Sequence, residues 1–474
     1  MTRRPSVTDV PLPRLSRGVG SASRQQQVYA VLRDLVLSGR VAEGARLPSS
    51  RRLATSLAVA RNTVLEALER LSAEQLIVCR RGSGCQPLAP AGLVRDFRAN
   101  RPPGASLERS EPSRRIRAFN AEVPAVAEFP LDLWARLVRR RWRSASLSML
   151  GYSPPGGYQP LREAIAERLS ASRAVRCHWQ QVVVTPGSRQ GLALIARAAL
   201  HHGDTVWVED PGYHPGARMF ETEGLRLAHV QVDHHGLSVT DGQRCAPRAR
   251  AAYVTPSHQF PLGITMSLAR RVELLEWARR DGRWIVEDDF DAEFRHAGSP
   301  LASLQGLDPD GRRVISVGTF SQLLVPAIRI AYLVVPESLV DSVISAQRVG
   351  DRHASLTDQA ALVDFIDEGH LARHQRRMRA LYARRRTALE VALRESLPAG
   401  VDLTVPDAGL RVLLWLPAGR DARRVARAAA AVGVDVYPLA DYARRRMRPG
   451  LILGFAAVDE GLIRTGVRRL ASVL

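Results

Sequence analysis

The sequence predicts a multidomain chain: a small winged helix-turn-helix unit (α+β) at the N-terminal end and a large α/β domain behind it. Three observations carry this prediction. Residues 23–88 show apolar residues at helical spacing and end in a glycine-bearing hairpin signal. The stretch "LAPAGLVRDFRANRPPGASLERSEPSRRIRAF" is rich in Pro, Gly, Ser and Arg with little periodicity, and reads as a linker. From about residue 119 onward, strand-like runs alternate with helical segments, the mark of an α/β domain. The expected boundaries are a basic arm over 1–22, the winged unit over 23–88, a linker over 89–118 and the large domain over 119–474.

The bulk numbers fit this division. A chain of 474 residues, 45% hydrophobic and 24% charged, is long enough for two or three separate cores. It carries 68 basic residues, every one an arginine, against 47 acids, for a net charge of +21 and a pI near 11.1. Such a balance suits a polyanionic partner, most simply nucleic acid. Genome composition explains the choice of Arg over Lys but not the excess over acids. The four cysteines, Cys79, Cys85, Cys177 and Cys245, form no CxxC pair and no zinc spacing, so no metal site is expected. Cys79 and Cys85 flank the hairpin, and a reduced state is the expectation for a cytoplasmic chain. No apolar run is long enough to span a membrane, and the first residues lack the apolar core of a signal peptide.

In "GARLPSSRRLATSLAVARNTVLEALERLSAEQLIVCRRGSGCQ", Pro48 and Ser49 open a short helix with Leu53, Ala54 and Leu57 on one face. "LAVA" is a tight turn. The next helix turns Val64, Leu68 and Leu71 inward and offers Arg61, Asn62, Thr63, Glu66 and Arg70 on its other face. "LIVCR-RGSG-CQ" then makes a two-stranded wing. In this arrangement the second helix enters the major groove of double-stranded DNA with its N-terminal residues on base edges, and the wing lies along the phosphates.

The "LPSxRxLA" start, the "RxTVxxAlxxL" helix and the "RxGSG" wing resemble the GntR family of bacterial repressors. That resemblance implies DNA contacts from Arg51, Arg61, Asn62 and Thr63, with Arg81, Gly82, Ser83 and Gly84 at the wing tip. Two departures stand out. Ala60 replaces the Ser or Thr that caps the recognition helix, a loss of about 0.5–2 kcal/mol. Gln75 replaces a Gly before the wing, so a reshaped backbone turn is expected there.

The large domain holds several stretches that carry chemistry. "TPGSRQGL" follows the strand "QVVVT" and opens a helix, whose free N–H groups favour a phosphate. "WIVEDDFDAEF" is a strand running into an acidic cluster, where ligands bind in α/β sheets. "VEDPGYHP" places Tyr213 similarly, and "GYSPPGGYQPLREAI" sets Tyr152 in a Gly/Pro loop before a helix. Taken alone, the first is a weak signal, and the acidic cluster is equally a solvated loop.

In order, these stretches resemble the aminotransferase fold, fold type I of the pyridoxal-phosphate enzymes, from about residue 119 to the end. Joined to a GntR-type unit, with "TPSHQFPLG", "EDDFDAEF" and "GTFSQLLVPAIRIAY", the chain resembles the MocR/GabR family of transcription regulators. The resemblance implies a homodimer in which an aminotransferase-like domain senses a small molecule. It also implies roles. Asp288 would pair with the protonated pyridine nitrogen, and Tyr213 would stack on the ring. Ser188, Arg189, Ser321 and Arg329 would hold the phosphate, and Tyr152 would reach in from the other subunit.

One position breaks the pattern. Where the family has the lysine that joins the cofactor aldehyde covalently, this chain has Gln322, and no lysine exists elsewhere to substitute. An amide nitrogen shares its lone pair with its carbonyl and cannot make that bond. Phe290 stands where "EDDY" supplies a tyrosine to the cofactor's phenolic oxygen. Leu323 and Ala331 replace a usual Thr and Gly, and Ile452 stands where many aminotransferases carry a carboxylate-gripping Arg. The expectation is a DNA-binding regulator with no catalytic residues. Pyridoxal phosphate or a related phosphorylated pyridine would then be held without a Schiff base. Two alternatives stay open: a working aminotransferase, and a dimer blind to ligands in which the large domain only pairs two DNA-binding units.

Overall fold

The computed structural model describes residues 15, 23–38, 41, 45–80, 84–88, 116–291, 293–296 and 302–474. The chain forms two compact units, Met1–Pro112 and Ser113–Leu474. Nearly all of the expected arm and linker, and the wing-tip residues Arg81, Gly82 and Ser83, lie outside the described residues.

In the first unit, α1 (Arg24–Leu37), α2 (Ser50–Leu57) and α3 (Arg61–Ala73) pack around a core of Leu32, Leu53, Val64 and Leu71. Strands β1 (Ile77–Arg80) and β2 (Gly84–Pro87) form the antiparallel hairpin. Ser23 caps α1 through a capping box, and Ser49 caps α2. Ala60 has the extended backbone of a cap (φ −64°, ψ 145°) but offers α3 no side-chain bond. Arg70 is exposed, as expected, and is engaged on the surface. It lies 3.9 Å over the Tyr29 ring and bonds Glu74, which also accepts from the Tyr29 hydroxyl.

Two expectations are corrected here. Cys79 and Cys85 face each other across the hairpin and are joined by a disulfide, not reduced. Antiparallel pairing sets them opposite one another, which the six-residue spacing alone did not reveal. The turn at Gln75 is not reshaped: Gln75 takes the left-handed conformation itself (φ 56°). For a residue with a Cβ this costs about 1 kcal/mol.

The second unit is built on an eight-stranded sheet of β3 (Val182–Thr185), β4 (Thr205–Asp210), β5 (Arg226–Asp233), β6 (Gly236–Leu237), β7 (Ala251–Val254), β8 (Trp284–Asp289), β9 (Val314–Thr319) and β10 (Ala331–Val334). Their order is β3-β10-β9-β8-β7-β4-β5-β6. The five strands from β9 to β5 run parallel to one another, β10 is antiparallel to both β9 and β3, and β6 is antiparallel to β5. Helices cover both faces, so the central strands are apolar on both sides. Val206 and Val208 belong to one core, while Trp207, turned the other way, stacks on Trp277 at 4.0 Å in a second.

A smaller antiparallel sheet follows, of β11 (Asp402–Thr404), β12 (Arg411–Trp415), β13 (Tyr437–Pro438) and β14 (Gly450–Gly454), in the order β11-β12-β14-β13. Phe119, fully buried, bridges to Gly454 and ties the start of this unit to that sheet.

Candidate functional site

The C-terminal ends of β3, β4, β8 and β9 open onto one cavity of about 430 Å³, walled on its far side by the smaller sheet. This is where the crevice of a parallel sheet offers backbone and side chains to a ligand. Ser188, Arg189, Tyr213, Asp288, Ser321, Gln322 and Arg329 all line it. Seven of the eight residues singled out for a cofactor thus meet in one place. The eighth, Tyr152, is 84% exposed, lies outside this cavity, and has the Arg352 guanidinium 4.3 Å from its ring.

At one end, Gly187 caps the helix Ser188–Ala199 with φ 144°, a conformation that favours glycine. A Cβ on Gly187 would come within 2.3 Å of the Arg329 guanidinium. The glycine therefore lets an arginine and a helix N-terminus converge, and both attract an anion. Arg189 adds a second guanidinium and donates to the Tyr213 hydroxyl at 3.2 Å.

Deeper in, Asp288 is 4% exposed. One carboxylate oxygen accepts a 2.6 Å bond from the Tyr253 hydroxyl; the other is buried with no hydrogen-bond partner among the described residues. Burial, with Asp289 and Asp291 nearby, pushes its pKa up to about 7 against the pull of the Tyr253 bond. An orphaned acceptor of this kind fits a cationic N–H donor such as a protonated pyridine nitrogen. Asp289 turns away and pairs with Arg173 at 2.7 Å.

Gln322 sits half-buried on the cavity wall, and its Nε2 donates to the Glu122 carbonyl at 3.3 Å. No lysine exists in the chain, so nothing at this site can bond an aldehyde as an amine would. Phe290 and Phe260 present edge-to-face rings 6.2 Å apart and no donor. Of the other three substitutions, Leu323 and Ala331 recede into the core, at 5% and 0% exposed, and Ile452 lines the cavity. The residues present thus fit a phosphorylated pyridine at its nitrogen and phosphate.

Sequence reasoning missed Tyr253, Glu122, Arg411, Tyr437 and Tyr442. Tyr253 reads as an ordinary apolar strand residue in "AAYVT". For Arg411 a signal existed, a lone charge opening the otherwise apolar strand "RVLLW".

On the DNA-binding side, Arg51, Arg61 and Asn62 are exposed and Thr63 is half-buried at the start of α3. Arg61 Nε donates to Ser50 Oγ at 3.1 Å, tying α3 to α2. Gly84, at the start of β2, has φ 77°.

Comparison with known proteins agrees with these two architectures. Residues 24–86 match the bacterial regulatory proteins of the gntR family, and residues 123–467 match aminotransferase class I and II. The chain is 36% identical to the probable rhizopine catabolism regulatory protein MocR of Rhizobium meliloti, covering 94% of this chain and 93% of that one. It is 31% identical to the pyridoxine biosynthesis transcriptional regulator PdxR of Corynebacterium glutamicum, over 92% and 93%. Among solved structures, kynurenine aminotransferase from Pyrococcus horikoshii covers 76% of this chain and 91% of its own, with a TM-score of 0.70 and 29% identity. The chain belongs to the GntR family of bacterial regulatory proteins, in its MocR-type branch, in which a winged helix-turn-helix is joined to an aminotransferase-like domain.

Proposed function

We propose that this DNA-binding transcription regulator senses a phosphorylated pyridine that it holds reversibly, and that it catalyses no transamination. The observation that carries the proposal is the pairing of an intact cavity with a missing nucleophile. Asp288 lines a cavity that Arg189, Arg329 and Ser188 make anion-attracting, and keeps one buried oxygen with no hydrogen-bond partner among the described residues. In the same cavity Gln322 replaces the one side chain that could bond the cofactor covalently.

In this reading residues 23–88 bind an operator and 119–474 pair and sense, with the arm 1–22 and linker 89–118 outside both. Arg51, Arg61, Asn62 and Thr63 contact double-stranded DNA, together with the wing tip Arg81–Gly84. In the large domain Asp288 would accept from the pyridinium N–H, Tyr213 would stack on the ring, and Ser188, Arg189, Ser321 and Arg329 would hold the phosphate. When bound, the pyridine would supply an electron-poor ring and an anionic anchor; the protein would supply only binding and orientation.

A homodimer is part of this reading, and the exposure of Tyr152 supports it. Tyr152 and Leu147 stand almost fully exposed, at 84% and 88%, which is costly for apolar side chains unless a second copy covers them. A cytoplasmic location suits a DNA-binding role, and among the described residues no helix is long and apolar enough to cross a membrane.

The test is a titration of the purified protein with pyridoxal phosphate and pyridoxamine phosphate, followed by borohydride and intact mass. Reversible binding of both with no mass gain supports the reading. A borohydride-fixed cofactor, or no binding of either, defeats it.

A further inference from the structure

We propose that Gln322 and Glu122 select a cationic amine on the 4-position of the bound pyridine, so that this chain takes the pyridoxamine form of its ligand over the pyridoxal form. The proposal rests on the reading that the cavity takes a phosphorylated pyridine.

Ring geometry fixes which part of the ligand meets these residues. A pyridine whose nitrogen meets Asp288 carries its 4-substituent para to that nitrogen, on the edge away from Asp288. The phosphate-bearing arm is next to it, on carbon 5. Ser321 is assigned to the phosphate, and Gln322 follows it directly in the chain. Both line the cavity, as does Glu122. Nitrogen, ring and phosphate leave Gln322 and Glu122 unused, and these two stand side by side: Gln322 Nε2 donates to the Glu122 carbonyl at 3.3 Å.

That bond sets the amide. A carbonyl accepts only from the NH2 end, so Nε2 faces Glu122 and Oε1 remains an acceptor, with no hydrogen-bond partner among the described residues. The Glu122 carboxylate is exposed, is a second acceptor, and forms no ion pair with any described residue. It stands close to two phenols that also line the cavity. Burial raises the Tyr437 pKa most, and the Glu122 carboxylate next; burial also raises that of Tyr442, with Arg411 opposing and Glu122 adding.

The segment that carries Glu122 is held before any ligand arrives. Asn120 Oδ1 accepts from the backbone N–H groups of Glu122 and Val123 at 3.0 and 3.3 Å. The Ala121 carbonyl accepts from Arg411 Nε and Nη2 at 3.0 and 2.8 Å.

An ammonium and an aldehyde differ in what they ask of these two side chains. The ammonium brings a positive charge and N–H donors, which an amide oxygen and a carboxylate accept. An aldehyde oxygen is itself an acceptor and would face two more. The cations of the cavity do not reverse this. Arg411 already lies 3.4 Å from Asp291, and the ligand's own phosphate offsets Arg189 and Arg329. A lysine at position 322 would repel the ligand's ammonium, whereas the amide accepts from it.

The experiment compares pyridoxamine phosphate, pyridoxine phosphate and pyridoxal phosphate by calorimetry on the full chain at neutral pH. The three share ring and phosphate and differ only in the 4-substituent, which ends in an ammonium, a hydroxyl or an aldehyde. Wild type is expected to bind pyridoxamine phosphate about tenfold tighter than either of the others, the effect of one charge-assisted hydrogen bond. Gln322→Met removes the amide acceptor and Glu122→Gln removes the charge. Each should cut the preference to about threefold or less and leave pyridoxine phosphate binding within about threefold of wild type. Because a loss can come from a damaged cavity, Gln322→Glu is the third variant; it sets an acceptor-only carboxylate there and should widen the preference beyond that of wild type. If wild type binds pyridoxamine phosphate no tighter than pyridoxine phosphate, if the preference survives undiminished in Gln322→Met or Glu122→Gln, or if Gln322→Glu fails to widen it, the proposal is overturned. If none of the three probes binds wild type, the pyridine reading of the cavity fails first and takes this proposal with it.

Discussion

One oxygen of Asp288 takes a 2.6 Å hydrogen bond from the Tyr253 hydroxyl, and the other is buried with no partner among the described residues. The carboxyl is therefore poised for a donor that none of the described residues supplies. Its pKa is pushed from 3.8 up to about 7 by burial. A group whose folded pKa is raised contributes stability below its unfolded pKa and loses it as pH rises through the folded value. Ligand-free protein should thus lose stability between about pH 4 and pH 7. Asp288→Asn keeps an acceptor for Tyr253 and removes the ionisation. It should melt higher than wild type at pH 8, by about 1–3 kcal/mol, with a smaller gain at pH 5. The same variant should bind pyridoxamine phosphate more weakly. A variant that is neither stabilised at pH 8 nor impaired in binding would show Asp288 to be a plain core residue.

The exposed start of α3 makes a different demand. Asn62 is exposed on the first turn, and Arg61, also exposed, bonds Ser50 through its Nε. Arg61→Ala or Asn62→Ala should cost about 1–3 kcal/mol in specific operator binding and little in non-specific binding. Arg51→Ala should weaken both and lower the slope of log affinity against log salt by about 1. Gel-shift titrations at several salt concentrations separate the two classes; equal losses on operator and random DNA for all three would remove the base-contact assignment.

Local chemistry around α3 can be repaired. Ala60 already has the backbone of a helix cap and lacks only the oxygen, so Ala60→Ser should stabilise the N-terminal unit by about 1 kcal/mol. Gln75→Gly should relieve about 1 kcal/mol of left-handed strain, less the entropy a glycine adds to the unfolded chain. Urea melts of the full chain, followed by a signal from the N-terminal unit, should show the first midpoint rising and the m-value unchanged.

How much of this was legible in the sequence depends on whether a residue's role is local. The helix caps, the strand ends at Thr185 and Asp289, and the cavity positions from Ser188 to Arg329 follow from motifs that fix their own backbone. Residues whose role comes from a distant partner stayed hidden. Tyr253 matters because β7 lies beside β8, and Arg411 because a second sheet closes over the first. The disulfide escaped for the same reason: register across the hairpin sets Cys79 opposite Cys85. Gln75 went the other way: backbone hydrogen bonds from Gln75 to Ser72 and from Leu76 to Leu71 close a left-handed turn that its own side chain disfavours.

That disulfide closes a loop with a sequence separation of 6. By loop-closure entropy it is worth about 2 kcal/mol to the N-terminal unit. Reductant should lower the melting midpoint of that unit, and Cys85→Ser should lower it equally and remove the response to reductant. Thiol titration of denatured, unreduced protein should find two of the four cysteines. Four titratable thiols together with a melt indifferent to reductant would mean that the bond does not form in solution.

Gln322 offers the strongest single test of the sensor's chemistry. It lines the cavity and, among the described residues, its side chain bonds the Glu122 carbonyl alone, at 3.3 Å, so a longer side chain has room to replace it. Wild type should bind pyridoxal phosphate without any cofactor mass fixed by borohydride. Gln322→Lys should gain that mass at position 322, because it restores an amine where the ring's aldehyde would lie. Arg189 and Arg329 line the same cavity, and their positive charge should favour the neutral, reactive form of that amine. Phe290→Tyr should then tighten binding by about 1.5–3 kcal/mol, since it supplies a donor to a charged oxygen that the two phenylalanines cannot bond. The two changes should not add, because both act on one ring. A double variant that folds, shows no fixed mass and binds no pyridine would mark the cavity as vestigial. The large domain would then answer to another ligand, or serve only to pair two DNA-binding units.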